Sequence, residues 1–523
     1  MANASLQIGN GNWAIKEDNL LGYSKAGTRF FPIPITMTRA TLGTRVNPSG
    51  LIEDVELLGS ELVTNGSFNT TIPIGDNGSG WAKVVSGDCT VEYDNGGVKL
   101  TQASVGNQDC KIYARTVGGS DNLLTVGKQY KVTYEVLSNN NSTDLKYYRG
   151  GTYLQIEHTV GTHTFYYEQE SNQLSIFWNL TANSDVTLDN ISIKEATIDD
   201  LARVDYTDGT GSLLVEPQRT NTVTYSEDFS QYTTGGTAPT LTTGQLAPDG
   251  TLTATKVSGV IGSTSLYKVG ESSTTATRSI YARTVSGTGT AKLLSYFGNT
   301  NNTFTLTEEW QRFELTGSIV TGGTNFYAVD FRDSSSTLSE VIVWGAQSEE
   351  ATYATSYIKT QGSTVTRNQD EYSKTGISDK INSEEGVLFV EMAALSDDLT
   401  GRSISLNDGT YTNTVILRYL DLSNQIQGVV RIGGSFKGIC THTLSDSTIS
   451  IKVAYKWKDS DFALWINGSE VATSSDVGAF STNTINKLSF DRGDNTQDFF
   501  GKVRQVQVFK TALSDSELAT LTT

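Results

Sequence analysis

Short runs in which apolar and polar residues alternate, each closed by tight-turn residues, recur along the whole of this 523-residue sequence. Residues 130–136 and 186–193 show the period of two that turns one face of a strand towards a core. Asn467-Gly468, between two apolar runs, is a signal for a hairpin turn. Gly is frequent, with 50 residues, and Pro is rare, with 7, which suits strands joined by turns better than long helices. The sequence therefore predicts an all-β protein.

The length predicts several domains, because one domain takes about 150 residues. Ser514 followed by Glu517 is the capping-box pattern, so we expect one short helix near residue 520. Composition and strand rhythm divide the chain into an N-terminal anchor arm at 1–57, a jelly-roll β-sandwich at 58–197, a return segment packing with the arm at 198–220, a second jelly-roll sandwich at 221–360, a linker at 361–384 and a third sandwich at 385–523.

The N-terminal arm contains the run Phe-Pro-Ile-Pro-Ile-Thr-Met at residues 31–37. Proline has no N–H to donate and is disfavoured in a central strand, so this run predicts an extended arm rather than part of a sheet. Such an arm is suited to lying across another protein or to exchange between protomers.

Residues 59–196 and 221–358 carry the same order of strand patterns, which predicts two copies of one module. The hexapeptide Ile-Tyr-Ala-Arg-Thr-Val begins at both Ile112 and Ile280. Element order nevertheless aligns residues 280–285 with residues 130–136. We therefore expect the identical hexapeptides on different strands of the two copies.

Charge and cysteine content exclude several classes of protein. The formal net charge of -18 repels a phosphate backbone, and no Lys/Arg cluster offsets it, so nucleic acid is not an expected partner. Residues 1–10 show no basic-apolar leader, and no apolar run reaches 18 residues, which predicts cytoplasmic synthesis without membrane insertion. Three cysteines are too few for a disulfide scaffold. Cys89 and Cys110 are expected as unbonded buried side chains, with a disulfide as the alternative.

The residues for most catalytic chemistry are missing from the sequence. His158, His163 and His442 form no zinc motif, and no nucleophile elbow, phosphate loop or dinucleotide fingerprint occurs. A glycosidase needs two carboxylates about 5–9.5 Å apart. Glu391, the best formal candidate, is expected as an isolated charge on an outer strand face. We therefore predict a protein without enzymatic activity.

Two resemblances assign the sandwiches to known folds. The run Phe-Ala-Leu-Trp-Ile-Asn-Gly at 462–468, the closing strand at 500–509 and Leu-Ser-Asp-Ser-Glu-Leu at 513–518 resemble the concanavalin A-like and laminin G-like lectin fold. Residues 60–196, with an opening Asn-Gly-Ser-Phe, Trp81 and a closing Leu-Asp-Asn-Ile-Ser-Ile, resemble the carbohydrate-binding jelly rolls attached to polysaccharide hydrolases. The resemblances imply glycans as the class of ligand.

A third resemblance spans most of the chain. Thr-Arg-Ala-Thr-Leu-Gly-Thr-Arg-Val-Asn at 38–47, Leu-Leu-Val-Glu-Pro-Gln-Arg-Thr-Asn at 213–221 and Trp-Gly-Ala-Gln-Ser-Glu-Glu at 344–350 resemble tailed-phage head-fibre, tail-fibre or lectin-domain proteins. The resemblance implies a structural protein on the virion surface, made in the host bacterial cytoplasm, that attaches to cell-surface or mucin-type glycans. It implies capsid or tail proteins as partners, and fibre analogy implies a homotrimer.

In those phage proteins the counterpart of residues 50–53 is followed shortly by that of residues 203–211, whereas about 150 residues intervene here. We therefore expect the first sandwich as an insertion, with Val55 and Arg203 close in space. Two other functions remain open. A phage-borne polysaccharide depolymerase needs an acidic cleft or a β-helix repeat, and a secreted bacterial adhesin needs a secretion signal.

Glycan binding needs an aromatic platform beside hydrogen-bonding groups, and the first sandwich offers three candidates. Trp81 follows Gly78-Ser-Gly80, where exposure in a loop is expected. Tyr113 and Trp178 lie in strand patterns, and Trp178 is expected either on a platform or in the core. Apolar alternation places the following residues in cores: Trp344, Trp457 and Trp465.

Calcium is the one cofactor that the sequence suggests. Asp491, Asp494, Asn495 and Asp498 crowd one turn and supply the carboxylate and amide oxygens that calcium prefers. A solvated acidic loop without an ion is the favoured alternative.

Overall fold

A computed structural model describes residues 3–9, 14–16, 19–26, 29–69, 80–102, 108–116, 123–171, 176–269, 275–294, 303–318, 325–332 and 335–523. Strands account for 53% of the residues and helices for 3%, so the fold is all-β, as the alternating pattern predicts. One compact unit is Glu56–Ile198, and the other joins Met1–Val55 to Asp199–Thr523. Within the described ranges no helix is long and apolar enough to cross a membrane.

The strands are numbered in chain order. Those before the first sandwich are β1 Leu6–Gly9, β2 Ala14–Lys16, β3 Asn19–Ala26, β4 Arg29–Thr38, β5 Thr44–Val46 and β6 Ile52–Asp54. Those of the unit Glu56–Ile198, here called the first sandwich, are β7 Leu57–Glu61, β8 Trp81–Val85, β9 Thr90–Asp94, β10 Gly97–Gln102, β11 Cys110–Ala114, β12 Gln129–Asn140, β13 Leu145–Tyr148, β14 Tyr153–Gln155, β15 Gly161–Glu168, β16 Ile176–Asn179 and β17 Ser184–Thr197.

The strands that follow are β18 Val204–Asp205, β19 Ser212–Val215, β20 Arg219–Asn221, β21 Thr233–Gly235, β22 Thr240–Gln245, β23 Ala254–Ser258, β24 Ser265–Val269, β25 Thr275–Arg283, β26 Gly289–Lys292, β27 Thr303–Leu306, β28 Gln311–Ser318, β29 Asn325–Asp330 and β30 Glu340–Glu349. The remaining strands are β31 Val365–Arg367, β32 Glu371–Lys374, β33 Glu385–Ala394, β34 Arg402–Asn407, β35 Thr414–Tyr419, β36 Gln425–Ile432, β37 Ser435–Thr443, β38 Ile451–Lys458, β39 Phe462–Ile466, β40 Ser469–Ser474, β41 Lys487–Ser489 and β42 Gly501–Phe509. Short 3₁₀ turns occur at Phe229–Gln231 and Ser378–Lys380.

The first sandwich consists of two antiparallel sheets. One has the strand order β15-β12-β17-β10-β9, with β7 added on β17, and the other has the order β14-β13-β16-β11-β8. On β12, Tyr130, Val132, Tyr134 and Val136 are buried between the sheets, and the residues that alternate with them are more exposed. The period of two in the sequence therefore becomes one core face and one outer face for each strand.

A disulfide links Cys89 to Cys110 within this sandwich. Cys89 directly precedes β9 in one sheet and Cys110 begins β11 in the other, so the bond ties the two sheets together. The expectation of unbonded cysteines is therefore wrong, because the sequence alone does not show that these two side chains meet. Cys440 is free and buried.

The second sandwich, residues 221–360, repeats the strand order of the first. Its five-stranded sheet has the order β28-β25-β30-β23-β22, which corresponds strand for strand to β15-β12-β17-β10-β9. Ile280 lies on β25, the counterpart of β12, whereas Ile112 lies on β11 in the opposite sheet of the first sandwich. The predicted alignment of residues 280–285 with residues 130–136 is confirmed.

The third sandwich is built from two larger sheets. In one, β42 pairs with β33, β1 and β19, and β33 leads on to β38, β39 and β40. In the other, the strand order is β32-β41-β34-β35-β36-β37. A large core fills the space between the sheets and contains Trp457. Trp344 and Trp465 are also buried, which confirms the predicted core positions.

The N-terminal strands belong to the third sandwich and do not form a free arm. Residues 29–35 of β4 pair with β3, and residues 36–38 pair with β32 in the other sheet. Ile33, Ile35 and Met37 are buried in the core of the third sandwich. The predicted extended arm is therefore wrong. The prolines alternate with these buried residues on a stretch that is paired along one side, where a missing N–H is tolerated.

The predicted closing helix is confirmed as α1, Asp515–Thr522. The Glu517 side chain accepts hydrogen bonds from the Ser514 N–H at 3.1 Å and from the Ser514 hydroxyl at 2.9 Å. Leu518 packs with Phe389 and Trp465 in a small core outside the main one. The helix thus covers the outer face of one sheet.

The two segments that flank the first sandwich lie side by side. The Val55 N–H donates to the Gly43 carbonyl at 2.8 Å, and the Tyr206 N–H donates to the Val46 carbonyl at 2.9 Å. An inserted domain requires this proximity of its two flanks, because the host chain has to close behind it.

Three arginines and two carboxylates form a buried cluster in the same region. Asp370 pairs with Arg39 at 2.6 Å and also with Arg203, while Glu216 pairs with Arg203 at 2.6 Å and with Arg367 at 2.8 Å. Burial alone would raise the pKa of Glu216, but Arg367 and Arg203 hold it well below its usual value. Removing one partner would leave a buried charge unpaired, at a cost of about 3–5 kcal/mol.

Candidate functional site

One outer face of the first sandwich combines aromatic and charged side chains. Across β11, β16 and β13, Lys111, Trp178 and Lys146 are direct neighbours. In the next row, Tyr148 of β13 pairs with Tyr153 of β14. The residues that alternate with these lie in or against the core, so the pleat places the five side chains on the outer face.

Three of these side chains, Tyr148, Tyr153 and Trp178, form a continuous line that we call the aromatic row. The ring centroids of Tyr148 and Tyr153 are 4.8 Å apart, and those of Tyr153 and Trp178 are 5.3 Å apart. Tyr153 is 47% exposed, and the other two rings are half-buried. Because the rings hold one another in place, a ligand that binds them has little side-chain entropy to remove.

Charged groups frame the aromatic row. The Lys111 Nζ lies 3.8 Å from the Trp178 ring centroid and 2.6 Å from the Asp109 carboxylate. The Trp178 Nε1–H donates to the Gln108 carbonyl at 2.9 Å. Lys146 on the neighbouring strand lies 3.5 Å from the carboxylate of the residue two positions before it. The surface therefore offers both donors and acceptors without a large net charge.

A flat apolar surface beside hydrogen-bonding groups is the combination that a sugar ring requires. The C–H faces of a pyranose stack on aromatic rings, and its hydroxyls bond to carboxylates, ammonium groups and carbonyls. One stacking contact contributes about 1 kcal/mol beyond the burial of area. The aromatic row can therefore hold a sugar with modest affinity.

Two of the three predicted platform residues lie on this face. Trp178 is part of the aromatic row. Tyr113 is half-buried on β11, where it pairs in register with Ile176, which in turn pairs with Tyr148. Trp178 is half-buried, with its ring in the aromatic row and also packed against the core of the first sandwich, so it combines features of the two positions expected for it.

Trp81, the third candidate, does not reach this surface. It begins β8, pairs with Ala114 and is 0% exposed. Its ring packs on Phe68 at a centroid distance of 5.1 Å, and its Nε1–H donates to the Asn65 carbonyl at 3.1 Å. The expected exposure of Trp81 is therefore wrong, because a buried ring offers no face to a sugar. Residues 78–79 of the predicted loop lie outside the described residues.

Sequence reasoning missed Tyr148 and Tyr153. The available signal was a short hairpin pattern at residues 145–155, in which Leu-Lys-Tyr-Tyr and Tyr-Leu-Gln flank Arg-Gly-Gly-Thr. Alternation outward from such a turn puts both tyrosines on one face. No local pattern shows that β16, which carries Trp178, pairs with β13.

On the corresponding face of the second sandwich, the aromatic ring that would meet a ligand is covered. By strand order β24 and β29 correspond to β11 and β16, and there Tyr267 and Tyr327 pack with ring centroids 5.0 Å apart. The Arg332 guanidinium lies 4.4 Å from the Tyr327 centroid and pairs with Asp330 at 2.6 Å. Tyr327 is 3% exposed, so a cation already covers the ring that would meet a ligand.

A second exposed aromatic surface lies on the third sandwich. Phe436 is 43% exposed, and its ring centroid lies 6.2 Å from that of Tyr411. The guanidinium groups of Arg431 and Arg492 lie 4.1 and 4.0 Å from the Tyr411 centroid. Arg431 also lies 5.4 Å from the Phe436 centroid, so arginines cover part of both rings.

The predicted calcium residues share one turn between β41 and β42: Asp491, Asp494, Asn495 and Asp498. Asp494 pairs with Arg492 at 2.8 Å. Burial and then the charges of the neighbouring carboxylates raise the pKa of Asp498 to about 6. Among the described residues no group of three or more His, Cys, Asp or Glu side chains is placed to hold a metal ion. Calcium binding by this turn stays a prediction.

Glu391 and His163, which the sequence analysis weighed for catalytic or metal chemistry, both have structural partners. Glu391 accepts a hydrogen bond from the Gln505 Nε2 at 2.8 Å and lies 3.5 Å from Arg504. It is a paired charge on the outer face of β33, not the isolated charge that was expected. The His163 Nε2 lies 2.6 Å from the Thr159 carbonyl.

Comparison with family models and with curated proteins gave no match. Among solved structures, the CBM40 module of the Ruminococcus gnavus IT-sialidase bound to α2,3-sialyllactose matches 27% of this chain and 83% of its own, at 20% identity and a TM-score of 0.23. The NanB sialidase of Streptococcus pneumoniae matches 29% of this chain and 26% of its own, at 19% identity and 0.25. An SAP-like pentraxin of Limulus polyphemus matches 27% and 71%, at 14% identity and 0.23. These similarities are too low to support a function, and the sandwich fold rests on the strand order above.

Proposed function

We propose that this chain is a glycan-binding structural protein of a tailed-phage particle, a head or tail fibre or decoration protein without enzymatic activity. The observation that carries glycan binding is the aromatic row, in which Tyr153 is 47% exposed beside Trp178 and a frame of paired lysines and carboxylates. The ligands are cell-surface or mucin-type glycans, and the protein acts at the virion surface.

The virion assignment is supported by the resemblance of residues 38–47, 213–221 and 344–350 to tailed-phage virion proteins. Two of these segments supply Arg39 and Glu216 to the buried cluster of arginines and carboxylates. Residues that tie distant segments into one scaffold suit a structural component of a particle better than they suit a catalyst.

The proposal includes assembly as a homotrimer that is attached to capsid or tail proteins. Each copy contributes one aromatic row of modest affinity. Several rows on one particle bind a glycan-coated surface together, because every contact after the first becomes intramolecular. Attachment strength then depends on the number of copies displayed.

Glycan binding is tested by comparing the full-length wild type with Tyr153→Ala on a glycan array. Because Tyr153 is 47% exposed, its truncation leaves no internal cavity, and we expect binding to weaken about five-fold, the equivalent of about 1 kcal/mol. The matched control is Tyr267→Ala on the second sandwich, which should leave binding unchanged. Equal array signals from wild type and Tyr153→Ala would contradict the proposed surface.

Particle location and lack of catalysis are tested separately. Gold-labelled antibodies against the chain should bind the head or tail of phage particles in electron micrographs. Steady release of reducing ends from a host polysaccharide by the purified protein would favour a depolymerase instead. Labelling of bacterial surfaces but not of particles would favour a secreted adhesin.

A further inference from the structure

A cavity of about 210 Å³ lies beside the start of β42 in the third sandwich. The end of β33 supplies its apolar wall. Its polar lining consists of Asp208, Ser212, Thr448, Ser450, Lys502 and Arg504. The cavity has room for a group of the size of one sugar ring. The cavity shares no residue with the aromatic row.

Two cations line the cavity, and neither is fully committed to another partner. The Lys502 Nζ lies 3.3 Å from the Asp208 carboxylate, and Arg504 lies 3.5 Å from Glu391, both of which are long distances for an ion pair. The Lys502 and Arg504 side chains are 25% and 31% exposed, so an incoming group can reach them. Both cations can therefore turn from these long contacts towards a ligand in the cavity.

Ser212 lines the same cavity and is 1% exposed. Its Oγ has no hydrogen-bond partner among the described residues. A buried hydroxyl without a partner is costly, and native proteins leave few of them. The Ser212 Oγ is shielded from solvent, so the polar groups that a ligand can reach in the cavity include those of Lys502, Arg504 and Ser450.

We propose that this cavity binds one sugar residue that carries a carboxylate, of the uronic-acid type. Lys502 and Arg504 would hold the carboxylate, because charge-assisted hydrogen bonds are the strongest that a partly exposed site can make. The Ser450 hydroxyl would bond to a ring hydroxyl. This site is independent of the aromatic row, so its failure would leave the proposed function untouched.

Asp208 gives the proposal a second test of opposite sign. Its carboxylate is 50% exposed at the rim and competes with a ligand carboxylate for Lys502. Removing the charge of Asp208 frees Lys502 and also removes a repulsion. Asp208→Asn should therefore bind an acidic sugar more tightly, whereas loss of the Lys502 charge should weaken binding.

The experiment is isothermal titration of the full-length protein with sodium glucuronate, glucose and sodium lactate. We expect saturable binding of glucuronate, weaker binding of lactate and none of glucose. Lys502→Gln should weaken glucuronate binding about ten-fold, and Asp208→Asn should strengthen it a few-fold. Lys458→Gln is the matched control, since Lys458 pairs with Glu385 at 3.0 Å on another strand, and it should have no effect.

Several outcomes would overturn the proposal. A folded wild type that shows no saturable glucuronate binding would remove the site. Glucose bound as tightly as glucuronate would remove the role of the carboxylate, and lactate bound as tightly would show that no sugar ring is recognised. Equal effects of Lys502→Gln and Lys458→Gln would place the binding elsewhere.

Discussion

Trp178 is held at the surface by contacts at both its edge and its face. Its Nε1–H bonds to the Gln108 carbonyl, and Lys111 lies over the ring. We expect Trp178→Phe to retain part of the glycan affinity, because a stacking face remains, and Trp178→Ala to lose most of it. Titration calorimetry with the strongest array ligand gives the two dissociation constants.

Circular dichroism of both variants checks that the first sandwich stays folded, since Trp178 also packs against its core. Equal weakening by Trp178→Phe and Trp178→Ala would mean that the indole N–H, and not the ring face, matters for binding. That result would contradict stacking as the basis of recognition.

Asp498 is expected to destabilise the protein at neutral pH. Burial, followed by the charges of Asp491, Glu371 and Asp494, raises its pKa from 3.8 to about 6. An acid whose folded-state pKa is raised contributes its full stability below pH 3.8 and loses it as the pH rises to about 6. Asp498→Asn should therefore raise the Tm at pH 7 by a few degrees and change it little at pH 3.5, as thermal scans at the two pH values will show.

Asp494→Asn is the control of opposite sign. Burial would raise the pKa of Asp494, but its bonds from Arg492 and Thr496 lower it on balance, so Asp494→Asn should lower the Tm at pH 7. A lower Tm for Asp498→Asn at pH 7 would contradict the argument. The predicted calcium site is tested in the same scans, since added calcium should raise the wild-type Tm and raise that of Asp498→Asn less if the ion binds this loop.

The two tryptophans of the first sandwich show what a local sequence can decide. The glycines that precede Trp81 predict a surface position for it. In the structure Gly80 has φ of 72° and ends the loop, and Trp81 starts a strand with its ring against Phe68. Here the glycine before the tryptophan indicates where the strand begins, and it does not indicate that the tryptophan is exposed. Which face the next strand presents depends on its partner in the sheet, which no local pattern contains.

The Cys89–Cys110 disulfide joins the two sheets of the first sandwich across a loop of 21 residues. Closing a loop of this length stabilises the folded state by about 3 kcal/mol on the chain-entropy model. The double variant Cys89→Ser, Cys110→Ser should therefore unfold at a lower temperature. Differential scanning calorimetry with and without a reducing agent measures the effect.

Cys440→Ser is the control, because Cys440 is free and lies in the other unit. A reducing agent should lower the Tm of the wild type and of Cys440→Ser, and should leave the double variant unchanged. A wild type insensitive to reduction would show that the bond adds nothing to stability.

Strands with strong alternation were predicted well, and so were the repeat and the closing helix. The alternation of β12 survives in the fold because the strand lies between two neighbours and buries one face. β4 shows the limit. The rule that proline cannot donate was correct, but residues 29–35 pair along one side, so the missing N–H groups do not exclude a strand.

Because the two segments that flank the first sandwich lie side by side, we expect that this sandwich can be removed. Replacing Glu56–Ile198 with a short Gly/Ser bridge should leave a soluble protein, because Val55 and Tyr206 bond to residues of one segment, 43–46. Under the proposed function the shortened chain should still enter particles but should lose binding at the aromatic row. Size-exclusion chromatography, thermal unfolding and particle composition are the measurements.

The isolated sandwich Glu56–Ile198 is the complementary control and should keep the glycan affinity. Loss of cooperative unfolding in the shortened chain would contradict an insertion and would make the sandwich an integral link.

Sequence comparison could suggest the insertion from the spacing of motifs, but it could not show the buried cluster, because its arginines and carboxylates come from segments more than 100 residues apart, such as Arg39 and Asp370.

The pairing of β1 with β42 limits the order in which parts of the protein can fold during synthesis. Leu6 lies opposite Val508, so β1 leaves the ribosome about 500 residues before the strand with which it pairs. At about 5–20 residues per second, the wait for about 500 residues is on the order of 25–100 s. The first sandwich has no such dependence, because its strands all lie between Leu57 and Thr197. We therefore expect each nascent chain to carry a finished sandwich while the rest of the polypeptide still exposes unpaired strand edges, which is the stage at which chaperones would be needed.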